Sequence, residues 1–147
     1  MSIINPAQSI LKSKLLDTYS AEAVAAGTFD GDAIFVPRGA QNIRFYLDGI
    51  LFDRTTGDET YTFKIQGRMR SSDSWVDIPS CGFTTISATT GSEIVPSAAN
   101  APGVILPRFI RVRLTSVGTT PIATAKIWML YDMPRGAGRQ VSHGAIS

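Results

Sequence analysis

Four stretches of this chain alternate apolar and polar residues with a period of two, and turn residues stand between them. In 42–51, Ile43, Phe45 and Leu47 point one way and Arg44, Tyr46 and Asp48 the other. In 60–69, Tyr61, Phe63, Ile65 and Met69 share a face opposite Thr62, Lys64, Gln66 and Arg68. In 109–117, Ile110, Val112 and Leu114 oppose Arg111, Arg113 and Thr115. In 122–131, Ile127, Met129 and Tyr131 oppose Lys126, Trp128 and Leu130. Successive side chains of a strand point to opposite faces, so each stretch reads as a half-buried strand. A strand buried on both faces would show one unbroken apolar run instead. Weaker strand signals at 19–26, 33–36, 75–78, 82–87 and 93–95 bring the total to seven to nine, at the spacing of a sandwich. The expected fold is therefore all-β, an antiparallel, jelly-roll-like β-sandwich. The polar segment 53–59, with Gly57, reads as a hairpin tip joining 42–51 to 60–69. Gly118 to Pro121 reads as a second hairpin connection, and 89–103 as a long surface loop.

The two ends read differently. Asn5 and Pro6 form a helix start, with asparagine as cap and proline at the first helical position. Ala7, Ile10, Leu11 and Leu15 follow at helical spacing, with Ser9, Lys12 and Ser13 on the other side. The spacing predicts a short amphipathic helical arm, which either packs on its own domain or docks on a neighbouring subunit. Alternation stops after Asp132, where a tail carrying Arg135, Arg139 and several glycines is expected to lack a fold of its own. The organisation read from this is an arm at 1–18, a sandwich at 19–132 and an extended tail at 133–147. Lys12 and Lys14 ahead of Leu15 and Leu16 mimic a secretion signal, but Asp17 and Glu22 interrupt its apolar core. No apolar run is long enough to cross a bilayer, so a cytoplasmic protein is expected.

Groups that do chemistry are scarce. The chain has one histidine, His143 in the tail, and one cysteine, Cys81. These two residue types supply most general bases, thiol nucleophiles and soft-metal ligands. Asp53, Asp58 and Glu59 match no calcium-loop spacing. Asp73 and Asp77 flank Trp75, but nothing sets them across a cleft as paired acids. The expectation is a protein without catalytic residues, cofactor or metal. A net charge of +2 does not mark a nucleic-acid binder. Arg44, Arg68, Arg70, Arg111 and Arg113 would form a basic patch if their strands were neighbours, with Tyr46 the one outward aromatic beside them; a solvated face near acids such as Asp48 is the plainer reading. Trp75 fits either a sugar-stacking platform or a core position. Trp128 and Leu130 are apolar groups on the nominally outer face of the last strand. Either this chain covers them or another subunit does, since wet apolar area costs about 25 cal/mol per Å². The candidate protein interface is thus Ile10, Leu11, Leu15, Trp128, Leu130, Arg135 and Arg139.

An apolar arm, strand phrases such as Gly57-Asp-Glu-Thr-Tyr-Thr-Phe-Lys-Ile-Gln-Gly67 and Leu106-Pro-Arg-Phe-Ile-Arg-Val-Arg-Leu114, and a basic glycine-bearing tail follow one another in this chain. In this order they resemble small virion proteins of tailed bacteriophages, of the capsid cement or decoration type. The resemblance implies a homo-oligomer, a dimer or trimer, that binds major capsid protein or other virion proteins. It also implies assembly in a host cytoplasm. A tail, neck or head-fibre component and a carbohydrate-binding sandwich are the alternatives.

Overall fold

A computed structural model of the chain describes residues 9–23, 26–96 and 106–134. Nine strands and no helix occur among them: β1 (Ser9–Ala23), β2 (Gly27–Asp30), β3 (Ile34–Phe35), β4 (Gln41–Phe52), β5 (Thr60–Arg68), β6 (Val76–Gly82), β7 (Gly91–Val95), β8 (Phe109–Val117) and β9 (Ile122–Pro134). They form two antiparallel sheets. One has four strands in the order β1-β9-β4-β7. The other runs β2-β8-β5-β6, with the short β3 also on β8. Leaving β3 aside, the pairs are nested: β1 with β9, β2 with β8, β4 with β7, β5 with β6. A long antiparallel ribbon folded over in this way gives the winding of a jelly roll.

The core lies between the sheets and is built by the alternation. Phe45, Leu47, Ile127 and Met129 come from the four-stranded sheet, and Phe63, Ile65, Val112 and Leu114 from the other; all are buried. Tyr19 of β1 meets Phe63 of β5 edge-on at 5.8 Å between ring centroids, and Phe52 lies 4.8 Å from Tyr61, so aromatic pairs join the layers. Gly49 permits the closest approach. A Cβ there would lie 2.3 Å from the Gly91 carbonyl oxygen and 2.4 Å from the Phe52 ring.

Three expectations are corrected. The helical arm is not seen: Ser9–Ala23 is one strand, bonded along its length to β9. The misreading has a physical source. Leu11 and Leu15 stand four apart, a spacing that keeps one face on a helix and on a strand alike, while Ile10 falls on the other face of β1. Bulges between Leu15 and Asp17 and between Tyr19 and Glu22 shift the alternation that would have marked the strand. β1 runs through residue 18 and β9 through residue 132. Asn5 and Pro6 lie outside the described residues.

Segment 53–59 is no hairpin tip, because β4 and β5 lie in different sheets. Nor is 118–121, which carries the chain from β8 in one sheet to β9 in the other. Period two reports which face a residue takes, not which strand lies beside it. The two crossings meet and lock at one end of the sandwich. The Asp58 carboxylate accepts from the Thr119 amide at 3.2 Å and its hydroxyl at 2.7 Å. The buried Glu59 accepts from the Thr56 and Thr120 hydroxyls. The Tyr61 hydroxyl donates to the Asp53 carbonyl at 2.7 Å and accepts from the Ile122 amide at 3.0 Å.

Candidate interaction surface

The outer faces of the two sheets differ in chemistry. On the five-stranded sheet, register sets Asp30, Arg113 and Lys64 in one row, and Arg111, Gln66 and Asp77 in the next. Arg113 grips Asp30 with two nitrogens at 2.6 and 3.0 Å, and Arg111 reaches the same carboxylate at 3.3 Å. Arg111 also donates to Gln66 at 2.9 Å, Gln66 to Asp77 at 2.8 Å, and Lys64 lies 3.3 Å from Asp77. The Arg113 hydrogen bond holds the Asp30 carboxyl below its usual range, and Gln66 does the same for Asp77. Thr28, Thr115 and Thr62 form a further row, and Thr62 hydrogen-bonds Thr85 at 2.8 Å. The guanidiniums of Arg68 and Arg111 stack on Trp75, 4.3 and 4.5 Å from its ring centroid. Most polar groups on this face pair with one another, the buried Arg68 Nε being without a hydrogen-bond partner.

The outer face of the four-stranded sheet carries an apolar row between polar ones. Residues directly opposite across antiparallel strands share a face. Register therefore lines up Leu15 (β1), Trp128 (β9), Tyr46 (β4) and Ile94 (β7) in one row across all four strands. Leu15 is 41% and Ile94 43% exposed, while Trp128 and Tyr46 between them are half-buried. On one side the next row holds Ser13, Leu130 and Arg44; on the other it holds Thr18, Lys126, Asp48 and Ser92. Leu11, 74% exposed, and Leu51, 57% exposed, extend the apolar area in the two directions along the strands.

Four residues of the expected interface, Leu11, Leu15, Trp128 and Leu130, thus lie on one face, brought there by a strand where a helix was expected. Ile10 does not join them: it pairs with Met133 on the other side of β1, beside Lys12 and Lys14. Arg135 and Arg139 lie outside the described residues, as does His143. Tyr46 and Ile94 complete the row and are not among the expected residues. The alternation of 42–51 already turned Tyr46 outward, but only strand order reveals that it neighbours Trp128.

The five arginines do not form one patch. Arg44 is on the four-stranded sheet, where it donates to the Pro96 carbonyl at 2.8 Å. Arg68, Arg111 and Arg113 are on the other sheet, and the acids beside Arg111 and Arg113 are Asp30 and Asp77, not Asp48. Cys81 is fully buried, and burial pushes its thiol up to about 11. Among the described residues no three of His, Cys, Asp and Glu gather as metal ligands, and no helix is long and apolar enough to cross a membrane. An open groove of about 500 Å³ at one end is lined by Phe35, Met69, Arg38 and Arg108 among others.

No family model and no curated protein matches the chain. Among solved structures, that of infectious bursal disease virus, Gx strain, contains a chain that aligns with this one. The TM-score is 0.43 and the identity 12%, over 91% of this chain and 33% of that one.

Proposed function

We propose that this chain is a non-enzymatic virion structural protein of the cement or decoration type. In this reading it associates with itself and with the major capsid protein and stabilises the particle, after assembly in the host cytoplasm. The observation that carries the assembly role is the contrast between the two outer faces. One carries a network of paired polar groups. The other presents Leu11, Leu15, Tyr46, Ile94, Trp128 and Leu130 together, the composition of an interface centre. The virion assignment comes from the resemblance to small phage virion proteins, and the jelly-roll winding, an architecture of viral capsid domains, agrees with it. A sugar-stacking role for Trp75 is disfavoured, because two guanidiniums already occupy its ring.

The test is composition and stability of the particle. Virions purified from cells carrying the gene should contain the chain in fixed ratio to the major shell protein. Electron cryo-microscopy should show it on the shell, and particles lacking it should disrupt at lower temperature. A chain absent from purified particles overturns the proposal; density confined to the tail or neck moves it to the alternative position.

A further inference from the structure

We infer that a second copy of this chain covers the apolar face of the four-stranded sheet, related to the first by a two-fold axis that lies between β9 and β4, close to parallel with the strands. This rests on the reading of that face as an interface, and it names the partner. The ground is that the face is complementary to itself. An axis in that position lays β9 on the partner subunit's β4 and β1 on its β7, and keeps every row level with itself. In the central row, Trp128 then meets the partner subunit's Tyr46, and Leu15 meets the partner subunit's Ile94. Aromatic faces aromatic at the middle, and aliphatic faces aliphatic at the edges.

The next row supplies the charges. Lys126 and Asp48 are cross-strand neighbours on β9 and β4, and no ion pair joins them among the described residues. Under the two-fold, Lys126 meets the partner subunit's Asp48, and Asp48 meets the partner subunit's Lys126. The two opposite charges are placed symmetrically about the axis, so both contacts form at once. An isologous interface requires a surface that matches its own rotated image. A partner of different sequence places no such requirement on the two halves of the face. Stacked sheets with nearly aligned strands are also the common packing of sheet on sheet.

The experiment uses the full chain and two charge-reversed variants, Asp48→Lys and Lys126→Asp, in sedimentation velocity and native mass spectrometry. The wild type is expected to be a dimer. Each variant places like charges in contact twice and should dimerise at least about tenfold more weakly. Mixed in equal amounts, the two should recover a one-to-one heterodimer, since every contact across the axis is again between opposite charges. Mixing cannot repair a folding defect or a like-charge clash within one chain, so recovery reports the contact between copies. A wild-type monomer at about 100 μM, a trimer, or a mixture that stays monomeric overturns the inference. A monomer that still decorates particles would remove the two-fold and leave the proposed function standing. A dimer that obeys the charge swap but never enters particles would do the reverse.

Discussion

Trp128 has Leu15 on one side and Tyr46 on the other, so most of its surface is already covered within the monomer. The part left exposed is no more than about a third of the side chain, on the order of 80 Å², worth about 2 kcal/mol when a partner covers it. Trp128→Ala is expected to weaken association roughly a thousandfold, because a two-fold dimer loses the ring from both copies, while lowering monomer stability by about 1–3 kcal/mol. Sedimentation equilibrium and urea titration of the same sample separate the two quantities; an unchanged association constant would remove Trp128 from the contact. Gly49 makes the opposite case. Its missing side chain leaves room for the Gly91 carbonyl and the Phe52 ring, at 2.3 and 2.4 Å from where a Cβ would stand. Gly49→Ala should therefore cost about 1–3 kcal/mol of folding stability, read as a lower urea midpoint, with little effect on association per folded molecule.

Among the elements, β1 changes most between sequence and structure. As a docking arm it would be dispensable for folding. As the neighbour of β9 it supplies Leu16 and Tyr19 to the core and covers one edge of β9. Deleting residues 1–17 is thus expected to abolish the cooperative thermal transition seen by near-UV circular dichroism; a truncated chain that melts like the full one would restore the arm. The clasp between the two crossings makes a second prediction. Hydrogen bonds from Thr119 hold the Asp58 carboxyl below its ordinary range, and those from Thr56 do so for Glu59. Folding then favours the ionised forms. Their stabilisation is full above the unfolded values of about 4 and is lost as pH falls through the lower folded ones. Melting temperature should drop below about pH 4, and Asp58→Asn should flatten that drop. These two elements also mark where the sequence is readable. β4, β5, β8 and β9 show clean alternation and are legible as strands, with Trp128 and Leu130 legible as outward apolar groups. β1 is not, because its bulges break the period. The crossings are not, because local pattern says nothing of which sheet the next strand joins. Tyr46 and Ile94 stay hidden for the same reason: they become neighbours of Trp128 only through strand order.

At the scale of the whole molecule, the sandwich has one outer face of paired polar groups and one that carries an apolar row. The nested winding sets the order in which those faces come into being. The innermost pair, β5 with β6, joins residues close in sequence, while the outermost, β1 with β9, brings Ser9 beside Pro134. As the chain leaves the ribosome, β1 and β4 wait for a neighbour that is made last. Non-local pairing of this kind slows folding and leaves strand edges bare in the interval. The row of Leu15, Tyr46, Ile94 and Trp128 is thus assembled only once β9 has been made, and until then the edges of β1 and β4 that β9 will cover stay open to any other strand.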